Sequence, residues 1–507
     1  MKPLLTDGRL GARPDDALVD HVNAVELDDE VAAAEHFVRI DLAHALMLTQ
    51  QQVFGPEQGR SLVGALLRLL DGDARQVLAG DAALGTITLQ LERYLEDQCG
   101  PQGLDIQRAR SRIDQKATGV RMADRAALLH VMDELLRLGE VLLEAADEHD
   151  AVIAPGYTHL QHAQPTTLGH YFNAHYWTVS RNLARLAQLY ERINECPLGG
   201  AAHSGTDWPI DRHTTAAYLG FARPVHNARD AGLSALDSGA ELAAVLGLVL
   251  SGISRCASDL FYWSSSEVAH IRLHASLCGT SSMMPQKRNP IVLERIRGLA
   301  GDAAGWGASQ LGLLHFATST DADQGYVHNR LPGYCRETAG AIRLLARTVA
   351  TLEIDTDRLR KSAARHWSTA SGLADDLVRT RHMSFRSAHE TVARFIAAHE
   401  AAGVADGTIL PELADAPLRD YTPKRLHEIL DVQAFVDGRH SAGGTSPARR
   451  AELATTAADD LKRHQETVTA LRASAERAQA RLVRDAAALL AQQRASPRDP
   501  ADAQEQG

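Results

Sequence analysis

Apolar residues along most of this chain recur at steps of three and four, the spacing that gathers them on one face of an α-helix. Leu168, Phe172, His175, Val179, Leu183, Leu186, Tyr190 and Ile193 form one such stripe, and Leu128, Met132, Leu135 and Leu142 mark a second on the segment from Gly119 to His149. Ala231 to Tyr262 is apolar on more than one side, as in a helix enclosed by others. Ile291 to Leu314 continues the helical pattern. Alternating stretches are scarce and no internal repeat is visible. The pattern predicts an all-α fold built on a central bundle of long helices. Helices apolar on several faces would leave those faces uncovered in a lone chain, so association between subunits is expected. The expected organisation is an N-terminal helical domain over 1–115, a central bundle domain over 116–369 and a C-terminal helical domain with a charged terminal helix over 370–494. Residues 495–507, polar and proline-containing, read as a disordered tail.

Composition narrows the function more than the fold. A hydrophobic content of 45% and a charged content of 23% are those of an ordinary soluble globular protein. A net charge of −11 without a basic stripe argues against a nucleic-acid partner. The five cysteines are odd in number and scattered, with no Cys-x-x-Cys pair. That pattern fits neither a disulfide framework nor a zinc site, and a reducing, cytoplasmic setting is expected. Leu242 to Ile253 is the strongest apolar run, but it falls short of the roughly 20 residues that span a bilayer. It reads as a buried helix, and no membrane partner is expected. Met1 to Asp20 lacks the apolar core of a signal peptide. No metal-ligand cluster appears, so the expected chemistry uses neither metal nor cofactor.

Chemistry concentrates in the run Cys278-Gly279-Thr280-Ser281-Ser282-Met283-Met284-Pro285-Gln286-Lys287-Arg288-Asn289-Pro290. Gly279 and the hydroxyl residues suit a loop that can move and offer backbone N–H groups to an anion. Lys287 and Asn289 follow Pro285, which stiffens the backbone that aims them. A serine, a lysine and an asparagine facing one pocket suit removal of a proton beside a carboxylate. Such a carbon acid is weak, and preplaced cations and donors must hold the anion that forms. A solvated Ser/Gly surface loop is the competing reading. Thr158 and His159 lie in the polar turn Gly156 to Pro165, where Thr158 can donate to a carboxylate and His159 is the candidate proton carrier. Most loop histidines are structural, and His162 carries less weight still. Arg112, beside Ser111 in Arg108 to Gln115, can grip a carboxylate at two points, or simply open a solvated helix. Glu294, seven residues beyond Lys287, can orient an imidazole from another helix; a surface glutamate is the alternative. Pro197 to Thr206 is glycine-rich but has no phosphate-loop or dinucleotide spacing.

Taken in order along the chain, these stretches resemble the fumarase/aspartase superfamily, most closely argininosuccinate lyase. Gly279 to Pro290 resembles its mobile signature loop, Gly156 to Pro165 its Thr-His segment, and Ser111 to Gln115 its Ser-Arg-x-Asp-Gln segment. Similarity extends to Pro197–Arg212, Trp263–Glu267 and Leu430–Ser446. The resemblance implies a three-domain all-α homotetramer whose active sites draw loops from several subunits. It implies Ser281 as the base that takes the C3 proton of an aspartyl moiety, with Lys287 and Asn289 holding the aci-carboxylate. Ser111, Arg112 and Thr158 would bind carboxylates. His159 paired with Glu294 would assist proton delivery to the departing nitrogen. Gln161, Ser282 and Met284 would also line the substrate.

Departures fall on the leaving-group side. Ile113 replaces the asparagine of Ser-Arg-Asn-Asp-Gln. Gly85-Thr86-Ile87-Thr88 replaces Glu-Asp-(Val/Ile)-His and lacks its histidine. Thr318 to Tyr326 keeps only Asp321 of the run that resembles Tyr-Asn-Arg-Asp-Leu-Gln-Glu-Asp-Lys. Asp321 and Asp323 would offer anionic partners to a cationic amine. The expected activity is reversible cleavage of an N-substituted aspartate to fumarate and an amine, as in ethylenediamine-disuccinate lyase. Argininosuccinate is an alternative substrate. A non-catalytic crystallin-like protein and a fumarase or cycloisomerase are the readings from other classes.

Overall fold

A computed structural model describes residues 12–312, 314, 330–405 and 408–492. Long helices organise it. Helix α1 spans Ala34–Gln50, α2 Arg112–Glu148, α3 Leu168–Ile193, α4 Ala228–Trp263 and α5 Leu331–Val349. The stripes read from the sequence are the faces that pack. Leu128, Met132, Leu135 and Leu142 on α2 meet Leu168, Phe172, Val179, Leu183, Leu186, Tyr190 and Ile193 on α3 in one core, each at most 2% exposed. Leu242, Leu246, Val249, Leu250 and Ile253 on α4 lie in the same core. This helix is long and apolar enough to span a membrane by composition, and the bundle buries most of that stretch. Among the described residues, strands occur only as two-residue pairs.

The ends of α2 and α3 follow from local chemistry. Ser111 caps α2, its hydroxyl accepting from the Ile113 amide, while Asp114 accepts from the Ser111 amide in a reciprocal capping box. Thr167 caps α3 by accepting from the His170 amide at 3.1 Å.

Two further large cores flank the bundle. The N-terminal one gathers Phe37, Ile40, Leu62, Leu66 and Leu91. The C-terminal one gathers Leu373, Leu377, Phe395 and Leu426. The last helix, α6 (Pro447–Ala491), follows the C-terminal segment in sequence but packs elsewhere. Ala457, Leu461 and Val468 enter the bundle core, and Leu482 and Ala486 enter the N-terminal core. Its apolar face is long enough to cross both, so it is a strap over the molecule and makes no part of the C-terminal core. The expected tail at 495–507 lies outside the described residues.

Candidate active site

The signature-like loop is closed at its base by a backbone bridge. The Gly279 amide donates to the Asn289 carbonyl at 2.8 Å, and the Asn289 amide returns a bond at 3.0 Å. The Asn289 side-chain amide donates to the Thr280 carbonyl at 3.4 Å. Inside the loop, Ser281 Oγ accepts from the backbone amides of Met284 at 3.0 Å and Met283 at 3.4 Å. Two N–H dipoles therefore already point at this oxygen, which favours its ionised form. Ser282, Met284 and Lys287 are exposed, and Met283 is 83% exposed. Beneath the loop lies a cavity of about 770 Å³ lined by Lys287, Asn289, Ser264, Ser265, Arg272 and Cys278. A Cβ at Gly279 would sit 2.8 Å from Ile291 Cγ2. Gly279→Val should therefore spoil the loop's closing geometry and cost about tenfold or more in kcat while the melting temperature holds, as steady-state kinetics beside a thermal melt will show.

The Thr158–His159 pair sits at the tip of a nested hairpin. Strands β1 (Ile153–Ala154) and β4 (Thr166–Thr167) pair at its base, β2 (Tyr157–Thr158) and β3 (Gln161–His162) above them. The two turn residues, His159 and Leu160, have φ of +55° and +58°. This is the backbone of a tight hairpin turn that normally selects Asn-Gly, so His159 is held in a conformation that costs energy. The stem absorbs that strain. The Tyr157 hydroxyl bonds His270 Nε2 at 3.0 Å, and His162 Nε2 bonds Ser362 Oγ at 3.0 Å. Burial and the nearby His162 push His270 down to about 4. His162 is thus a brace. Tyr157, His270 and Ser362 are supporting residues that sequence reasoning missed, because their partners lie more than a hundred residues away. Thr158, His159 and Gln161 at the tip are exposed.

Ser111 and Arg112 open α2. Arg112 is exposed and lines a separate cavity of about 440 Å³ with Asn23, Glu26, Thr86 and Leu89. A buried polar network lies behind it. Asp41 Oδ1 accepts from Arg110 Nη1 and Gln115 Nε2, both at 2.6 Å, and Thr88 Oγ1 donates to Gln115 Oε1 at 2.8 Å. Burial pushes the adjacent His44 down to about 3, so the neutral ring donates Nε2–H to the Arg108 carbonyl at 2.8 Å. Glu294, in the first turn of the helix Ile291–Ala303, is exposed. Among the described residues, neither Glu294 nor His159 makes a side-chain hydrogen bond or ion pair. One chain therefore carries Ser281, Lys287 and Asn289 on a single loop, with Lys287 and Asn289 lining one cavity, Arg112 another, and the hairpin tip open. Asp321 and Asp323 lie outside the described residues.

A family described as Lyase matches residues 23–305, and one described as Argininosuccinate lyase C-terminal matches 367–437. The chain is 33% identical to argininosuccinate lyase of Methanocorpusculum labreanum over 92% of its length and 95% of the relative's. The chain belongs to the fumarase/aspartase superfamily. Its fold agrees with a solved EDDS lyase in complex with formate, with a TM-score of 0.84 and 29% identity over 96% of this chain and 100% of that one. An EDDS lyase variant with bound fumarate matches at a TM-score of 0.82 and 28% identity, covering 96% and 98%. This protein is a carbon–nitrogen lyase of the argininosuccinate lyase type.

The lyase's departures have visible local causes. Thr88, where the resemblance has histidine, turns inward and spends its hydroxyl on Gln115. Ile113 packs towards Gly232 of α4, its Cγ2 only 3.0 Å from where a Cβ on that glycine would sit. Both side chains turn towards the protein.

Proposed function

We propose that this lyase cleaves an N-substituted L-aspartate to fumarate and an amine other than arginine. The observation that carries the reading is the pair of backbone amides donating to Ser281 Oγ, in the same loop that presents Lys287 and Asn289. A free serine hydroxyl is too weak a base for a carbon acid. With two N–H donors and a lysine cation its alkoxide becomes accessible. Ser281 takes the C3 proton, and the electron pair moves into the adjoining carboxylate, held as an aci-carboxylate by Lys287 and Asn289. The pair then returns to form the double bond as the C–N bond breaks. The bonding electrons leave on nitrogen, which receives a proton through His159, oriented by Glu294. Arg112 and Thr158 bind the carboxylates, with Ser111, Gln161, Ser282 and Met284 around them.

We further propose a homotetramer with active sites shared between subunits, working in the cytoplasm. Two features support the association of subunits: the parts of the site on one chain stay apart, and the α4 face bearing Ala244, Leu248 and Ser251 is exposed, with Leu248 at 52%. An amine other than arginine is favoured because Ile113 and the inward-turned Thr88 remove polar groups near Arg112. Losing a buried polar partner costs about 1–3 kcal/mol, so two such changes reshape selectivity. Argininosuccinate itself is the second reading, favoured by the names of the curated relatives. A panel of argininosuccinate and N-(aminoalkyl)aspartates, followed by fumarate absorbance, separates the two. The expected result is turnover of an aminoalkyl aspartate at least about tenfold above argininosuccinate. Efficient argininosuccinate cleavage would reverse the assignment.

A further inference from the structure

The glycine-rich segment Pro197–Thr206 has no role in the reaction as described, yet it is fastened to the turn that presents Arg112. The Asp114 carboxylate accepts from the amides of Ser111 at 2.9 Å, Gly199 at 2.9 Å and Ala201 at 2.8 Å. One buried carboxylate thus fixes the start of α2 and the glycine-rich loop in a single register. Arg212 adds a clamp, its Nε donating to the Leu198 carbonyl at 3.0 Å. Two residues past Ala201 comes His203, with φ of +75°, a conformation that a residue with a side chain adopts only under constraint. A Cβ on Gly232 would sit 2.8 Å from His203 Cε1 and 3.0 Å from Ile113 Cγ2, so the two side chains converge on the same spot of α4. His203 Nδ1 is buried there with no hydrogen-bond partner. A sealed N–H lacking an acceptor is the rarer defect, so in the neutral ring the proton sits on Nε2. In the charged ring Nε2 carries a proton as well. Either way Nε2 is a donor, and among the described residues it has no acceptor.

We infer that His203 is a substrate-binding residue of this lyase, its Nε2–H donating to a substrate carboxylate gripped by Arg112. It supplies from the glycine-rich loop a donor that Ile113, beside Arg112, does not have. The inference rests on the fumarate-releasing function proposed above.

Fumarate serves as the probe, since its binding does not depend on which amine is used. His203→Gly keeps the positive φ at no steric cost and removes only the ring. Titration calorimetry of the purified full-length protein should show fumarate binding about tenfold or more weaker in His203→Gly, the loss expected for one hydrogen bond to a charged group. His203→Asn, which tolerates this backbone and restores a donor, should recover part of the affinity. Adding Ile113→Asn to the His203→Gly variant should do the same from the other side. A purely structural role for His203 predicts no rescue by Ile113→Asn. Fumarate affinity unchanged within twofold in His203→Gly would overturn the inference and leave the lyase function standing. Failure of the unaltered protein to bind fumarate at all would overturn both.

Discussion

Ser281→Ala is expected to lower kcat by about 10²–10⁴-fold, the range over which positioned acid–base groups contribute, with the thermal midpoint unmoved. The side chain sits in an exposed loop and enters none of the hydrophobic cores, so its removal opens no cavity. Met283 and Met284 are exposed, so water can replace the acceptor their amides lose. Fumarate should still bind, because Lys287, Asn289 and Arg112 remain. The decisive measurement is hydrogen exchange at C3 of a succinylated amine in deuterated water. The alanine variant should show neither exchange nor unsaturated diacid. Exchange at the normal rate would falsify Ser281 as the base.

Asp41→Ala is expected to cost about 3–5 kcal/mol of stability, because it leaves a buried cation without its partner. The side chains of Asp41 and Arg110 are 1% and 0% exposed, and the same carboxylate oxygen also holds Gln115. Urea unfolding should show a lower midpoint with an unchanged slope, the mark of lost stability without a change in compactness. Replacing both partners with apolar residues of similar volume should cost less than removing Asp41 alone. Equal losses in the single and double variants would mean that the pair's charge is not what matters there. Because Gln115 anchors the helix turn that carries Arg112, fumarate affinity should weaken in the single variant too.

The bundle is open to reading in advance because its signal is local. Stripes with steps of three and four on 128–142 and 168–193 become the buried faces of α2 and α3, since helical spacing alone sets which residues share a face. The candidate catalytic loop stands out for a similar reason, as its serine, lysine and asparagine lie within one short run. What stays hidden depends on distant partners. Asp41 finds Arg110 and Gln115 from 69 and 74 positions away, and no spacing rule links them. The hairpin at 157–162 escapes because its strands are two residues long and its turn uses His159 and Leu160 where Asn-Gly would announce it. The glycine-rich loop stands out by composition, but its attachment to Asp114 is visible only in three dimensions.

The strap-like course of α6 bears on how the chain matures. Leu482 and Ala486 are buried members of the N-terminal core, yet they leave the ribosome long after the segment from Leu27 to Phe221 that supplies the rest of its buried residues. Until they emerge, a nascent chain carries an apolar groove across its first-made lobe, and at about 5–20 residues per second that exposure lasts many seconds. Polypeptides cut short before this point keep the groove for good, which makes them natural clients for chaperones and proteases.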